Sequence, residues 1–282
     1  MKQFSMIVTI LALLLSSACG EMQNERYASV DDRVSFADVQ ALTFRAPDLE
    51  IVYGNEPLQY GSLWLPEEPK PEGAPLVAMI HGGCWENAYG VDHVWAFSTA
   101  LADAGFAVWS LEYRRTGDAG GGWPGSYEDV ITALTATPSL SRHEVDTGRM
   151  VVVGHSAGGQ LGLLAGGRLP GFQATIGLAA ITDIVRYARG DNSCQQATEP
   201  FMGGSVTGNE SRYRTANPVD QPLHERTILL HGTADELVRP DHANLEGADT
   251  RLVEGAGHFD WIHPGTRAFR TLVDTLDEVL AE

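Results

Sequence analysis

At 282 residues the chain is long enough for one large domain with a well-buried core, and 43% hydrophobic content fits a globular protein rather than a disordered or fibrous one. The 37 acidic against 19 basic side chains give a formal charge of -18, which repels phosphate backbones and anionic headgroups and sets nucleic-acid binding aside. The acidity does not choose a substrate, because a site carries its own local field.

In chain order, Met1-Lys2 supplies a positive start, residues 6–15 form an apolar run too short to span a bilayer, and Ser16-Ser17-Ala18 are small. This pattern predicts an export signal over residues 1–18. Residues 19–45 are polar, acidic and weakly patterned, as expected of a flexible lead rather than a second domain. The folded domain is expected over 46–282. Candidate strands fall at 49–53, 60–65, 76–80, 106–111, 150–153, 174–178, 227–230 and 251–253. Leu76-Val77-Ala78-Met79-Ile80 and Met150-Val151-Val152-Val153 are apolar without alternation, the mark of strands buried on both faces. Helical patterns lie between them, at 92–104 closed by Gly105, from Ser126 with a Ser-x-x-Asp capping pattern, over 160–165, and from about Thr266 onward. Strands alternating with helices predict an α/β architecture, a mostly parallel sheet flanked by helices. The polar stretch 183–220, with Gly203-Gly204 and Asn217-Pro218, is expected to form a small cap.

Four segments carry chemistry. Gly154-His155-Ser156-Ala157-Gly158 follows a buried strand and precedes a helix, so small residues flank a Ser placed on a sharp turn at a helix N-terminus. His81-Gly82-Gly83-Cys84-Trp85 ends the 76–80 strand, and His231-Gly232-Thr233-Ala234-Asp235-Glu236-Leu237-Val238 ends the 227–230 strand. Gly255-Ala256-Gly257-His258-Phe259 follows the last strand. No H-E-x-x-H, C-x-x-C or clustered-carboxylate pattern appears, nor a phosphate-cradling Gly-rich motif after a strand, so neither metal nor cofactor is expected.

In this order the segments resemble the α/β-hydrolase superfamily of serine hydrolases, in particular its esterase and kynurenine-formamidase-like branch with HGGxW, over the chain from residue 49. The resemblance implies Ser156 as nucleophile, Asp235 as the acid and His258 as the base, with Glu236 and His263 as the neighbours most easily confused with the last two. By position in the HGGG pattern, the N–H groups of Gly83 and Cys84 would join that of Ala157 in an oxyanion hole, with Cys84 standing where the pattern has a third Gly. Trp85, Trp123 and Phe259 are candidates for the substrate pocket; a core position under the loop is the alternative for Trp85, and a packed connecting loop for Trp123. His81 and His231, at strand ends, fit loop-shaping hydrogen bonds, and His93, His143, His224 and His242 sit in polar sequence. The implied activity is hydrolysis of a small-molecule ester, on short acyl or aryl groups, through an acyl-enzyme. The alternatives are an arylformamidase or amidase and, in a different class, a catalytically dead hydrolase fold that serves as a binding module.

Ser16-Ser17-Ala18-Cys19 resembles the lipobox of bacterial lipoproteins, with Ser16 where Leu is usual and Leu15 one place further back. It implies lipidation at Cys19, membrane association through that anchor, and a periplasmic or outer-membrane-anchored location, with ordinary secretion as the alternative. Gly20 follows rather than Asp. Cys84 and Cys194 then remain as an even pair in a compartment that permits disulfides, and a bridge between them would pin the cap beside the oxyanion loop.

Overall fold

The computed structural model describes residues 26–68 and 71–281. The expected signal and Cys19 lie outside the described residues. The strands are β1 (Leu49–Val52), β2 (Tyr60–Trp64), β3 (Ala74–Ile80), β4 (Ala107–Leu111), β5 (Val145–His155), β6 (Ala174–Leu178), β7 (Thr227–Gly232) and β8 (Ala248–Val253). They form one sheet in the order β1-β2-β4-β3-β5-β6-β7-β8, with β1–β2 and β2–β4 antiparallel and every other pair parallel.

All seven residues of β3 are buried, Leu76, Ala78 and Ile80 in one core and Val77 and Met79 in the other. A strand with helices on both faces has no wet side to alternate with, and each fully buried aliphatic side chain contributes about 1.5–3 kcal/mol. The helices of the body are α1 (Phe36–Gln40), α2 (Trp95–Asp103), α3 (Gly125–Ala136) and α4 (Ala157–Arg168), followed by α5 (Ile184–Tyr187), α6 (Ser193–Gln196), α7 (Thr198–Met202) and α8 (Glu210–Thr215) in the cap and α9 (Arg267–Leu280) at the end. Side chains of α3, α4 and the cap share the Leu76 core, and those of α2 and α9 share the Val77 core. On α9 the buried set Phe269, Leu272, Leu276 and Val279 follows the three-and-four spacing of a one-faced helix, opened by Thr266, whose side chain accepts the Phe269 N–H.

Two expectations need correction. The Ser-x-x-Asp pattern at Ser126 is not a cap: α3 already starts at Gly125, and Pro124 at its N-cap makes no side-chain hydrogen bond. Ser126 Oγ instead donates to the Arg114 carbonyl (2.6 Å), and Asp129 receives Arg114 through N, Nε and Nη2, so the pair ties the helix to the loop after β4. The lead is not a free tether from Arg26 onward. Tyr27 and Val39 are buried, Tyr27 donates its hydroxyl to the Thr43 carbonyl, and α1 is opened by a Ser35–Asp38 capping box. The Asp260 carboxylate accepts the N–H groups of Arg33 (2.7 Å) and Val34 (2.8 Å). The docking partners lie far along the chain, where composition cannot register them.

Candidate active site

Ser156 is the residue between β5 and α4, with φ 56° and ψ -119°. A non-glycine residue in that half of the Ramachandran map is strained and persists only where its surroundings over-determine it. Here they do. A Cβ on Gly154 would strike the Gly158 carbonyl, and one on Gly158 would strike the carbonyls of Ile80 and His81. The turn therefore closes on backbone at both ends, while Ser156 N donates to the Leu178 carbonyl (2.9 Å). The flanking glycines are required by space, and the nucleophile strand is pressed against the end of β3.

That contact brings in the next segment. Gly82 lies so close that an added Cβ would sit 3.1 Å from Ser156 Cβ. Gly83, Cys84 and Trp85 follow with φ of 101°, 54° and 57°, three successive positive values just after β3. Ala157, the first residue of α4, carries one of the orphan N–H donors of a helix start. The loop is held from below by His81, whose ring nitrogens meet the Gly82 carbonyl (2.7 Å) and Glu112 Oε1 (3.0 Å) and whose face stacks on Tyr113. Burial alone would raise the Glu112 carboxyl, but His81 and Arg115 hold it below the usual range.

Asp235 stands just beyond β7. One carboxylate oxygen accepts the N–H groups of Leu237 and Val238 (both 2.9 Å), and the other accepts Nδ1–H of His258 at 2.7 Å. Glu236 points to solvent, and His263 accepts the Gly265 N–H on Nδ1, so neither replaces its neighbour. The bond to Asp235 orients the His258 ring through Nδ1 and leaves Nε2 without a role in that contact. His155, next to the nucleophile, packs its ring 4.7 Å from that of His258 and donates Nε2–H to the His258 carbonyl (3.0 Å). Burial, with the neighbouring His258 second, pushes His155 well below the ordinary histidine range. A neutral His155 leaves no second cation beside the imidazole. His231 behaves alike, lowered by burial and donating to the Val238 carbonyl. His93 and His242, placed in polar sequence, are both buried.

The expected pocket residues divide. Trp85 is fully buried, stacked on Phe201 of α7 (4.6 Å, 10°) and donating Nε1–H to Gln160 Oε1, so it anchors the cap and presents no wall to a cleft. Trp123 stacks on Tyr127 and is also buried, its N–H held by the Phe201 carbonyl. Phe259 stays half-exposed beside His258. Cys84 and Cys194 of α6 are joined as a disulfide with Cα atoms 5.0 Å apart. Sequence reasoning missed Gln160, which also donates to the Ala216 carbonyl and so links α4, the loop after β3 and the cap. A single Gln in a helix carries no signal of this. Among the described residues no group of three or more His, Cys, Asp or Glu side chains is placed to hold a metal ion, and no helix is long and apolar enough to cross a membrane.

The strand order, the turn at Ser156 after β5 and the positions of Asp235 after β7 and His258 after β8 define an α/β-hydrolase fold. Residues 62–170 match the BD-FAE family. The chain is 28% identical over 237 residues to Esterase LipC of Mycobacterium tuberculosis, covering 74% of this chain and 58% of that protein. It thus spans less than two thirds of that relative. Among solved structures it is similar to esterase B from Lactobacillus rhamnosus, with a TM-score of 0.71 at 18% identity over 87% of this chain and 90% of that one. A truncated carbohydrate esterase from gut microbiota superposes with a TM-score of 0.67 at 20% identity, covering 84% and 100%.

Proposed function

We propose that this protein hydrolyses short-chain or aryl carboxylic esters through a Ser156–His258–Asp235 triad and an acyl-enzyme. The observation that carries the reading is the 2.7 Å Asp235–His258 bond beside a nucleophile elbow held in a strained conformation. A fold in which that bond served only packing would have no use for the strain. His258 Nε2 takes the Ser156 proton as Oγ attacks the ester carbonyl, and the N–H groups of Gly83, Cys84 and Ala157 receive the developing oxyanion. The imidazolium then protonates the departing alcohol. Water repeats the sequence on the acyl-enzyme and restores Ser156. Ser156 and His258 are only 2% and 8% exposed under the cap, which favours a compact acyl group. The names of the relatives, an esterase and a carbohydrate esterase, support an ester over an amide.

The Cys84–Cys194 disulfide supports export, since such bonds persist in oxidising compartments. The mature chain is then anchored through a lipid on Cys19, which metabolic labelling with palmitate of wild-type and Cys19→Ser chains tests.

A fluorophosphonate probe tests the activity. Labelling is expected at Ser156 and absent in Ser156→Ala, together with turnover of 4-nitrophenyl acetate and butyrate. A folded wild-type chain that resists the probe would instead be a binding module, and turnover of N-formyl aromatic amines above the esters would make it a formamidase.

A further inference from the structure

The Asp260 carboxylate is completely buried and belongs to neither the triad nor the oxyanion loop. Its Oδ2 accepts the N–H of Gly257, the residue before the base (2.7 Å), and also the N–H of Arg33 (2.7 Å). Its Oδ1 accepts the N–H of Val34 (2.8 Å). One side chain, two residues after His258, thus closes the backbone on the other side of His258 and fastens to it a segment from the opposite end of the chain. The fit is tight on both sides. Arg33 takes φ 71° to present its N–H, and a Cβ on Gly257 would meet Arg33 Cα at 3.4 Å. Beyond this clamp, the ring of Phe36 packs against Phe259 (5.4 Å) and Tyr89 (5.6 Å). Phe259 adjoins His258, and Tyr89 lies directly against Gly83 of the oxyanion loop. The three rings are half-exposed, so they face outward from the junction rather than fill a core.

We propose that residues 33–36 are a working part of the catalytic site: Asp260 is a positioning residue that holds the His258 loop through this segment, and Phe36, Tyr89 and Phe259 form an apolar rim that receives the larger group of the ester. The proposal rests on the esterase reading above. A loop carrying a general base is flexible by default, and a shift of about 1 Å in a catalytic group can cost about 100-fold in rate. Three backbone donors converging on one buried carboxylate fix both the loop and the segment without placing any side chain between Asp235 and His258. Asn at 260 would turn one acceptor into an NH2 donor facing N–H groups, which breaks the clamp at nearly constant volume.

The test uses the full chain with its N-terminal segment. Asp260→Asn is expected to lower kcat for 4-nitrophenyl acetate about 10- to 100-fold with KM changed less than about threefold, and to lower turnover of ethyl acetate further, because the poorer leaving group depends more on the acid form of His258. A general loss of folded protein would scale both substrates equally. Arg33→Pro, which lacks the N–H and cannot take φ 71°, lies at the periphery and keeps the question answerable where Asp260→Asn does not fold. It is expected to lower kcat by a similar factor, and the double variant to be no worse than the more impaired single one. Phe36→Ala is expected to raise KM for 4-nitrophenyl acetate about fivefold more than for ethyl acetate, which lacks the large group. Wild-type kcat in folded Arg33→Pro and Asp260→Asn, or additive losses, overturns the clamp; equal KM ratios in Phe36→Ala overturn the rim. A wild-type chain inert to fluorophosphonate would fail the esterase reading itself, an outcome separable from all of these.

Discussion

The turn around Ser156 and the cap are held by different means. At the elbow, backbone meets backbone: Gly154 against Gly158, and Gly158 against the carbonyls of Ile80 and His81. The cap, α5 to α8, is attached largely by side chains: the Cys84–Cys194 disulfide, the Trp85–Phe201 stack and Gln160 on the Ala216 carbonyl, beside the backbone bond from the Trp123 N–H to the Phe201 carbonyl. Backbone contacts admit almost no substitution, whereas side-chain attachments can be exchanged one at a time. Substitution is therefore closed off in the first region and open in the second.

That contrast can be broken most sharply at the acid. Asp235→Asn leaves the elbow geometry in place but reverses the preferred His258 tautomer, and kcat is expected to fall by about 10,000-fold with little change in circular dichroism. A loss below about tenfold would move the acid elsewhere. Cys194→Ser detaches α6 from the oxyanion loop, and because the bond closes a separation of 110 residues, stability should fall by about 2–5 kcal/mol in a denaturant titration. Activity at low denaturant should fall far less than in Asp235→Asn if the cap shapes the substrate pocket rather than performing the chemistry.

Acid should loosen the entry to the cap through His242. His242 Nδ1 accepts the N–H groups of Thr182 and Asp183, where the chain enters the cap, and burial, followed by Arg186, lowers its pKa to about 4. A histidine depressed in the folded state contributes stability that is complete above the unfolded value near 6.5 and is lost as pH falls toward 4, with a slope of up to about 1.4 kcal/mol per pH unit. His242→Gln should flatten the decline in Tm over this window, and an unchanged slope would assign it to other groups. The smallest effect is expected at Glu236, whose exposed side chain should tolerate Gln with a stability change within about 0.5 kcal/mol and unaltered kinetics.

What the sequence made legible follows the same division. Continuous apolar strands, glycines at points of close approach and a Ser, an Asp and a His after three of the strands are local patterns, and they place the eight strands of the described residues and single out Asp235 and His258, which the fold brings together. Trp85, Gln160, Asp260 and the segment before Arg45 take their meaning from partners up to 235 residues away. Ser126 shows the opposite hazard, because a local pattern that satisfies the rule for a helix cap is spent on a tertiary bond to the Arg114 carbonyl. No window of sequence separates the two uses.

The groups proposed to act together leave four different strand ends, at residues 83–84 after β3, 156 after β5, 235 after β7 and 258 after β8. No single fragment of the chain carries them all, and neighbours in the sheet must register before any one of them faces another. Turnover during refolding would thus count only molecules in which the sheet has closed as far as its last strand, so hydrolysis of a chromogenic ester would serve as a stricter clock of complete folding than fluorescence or helix content.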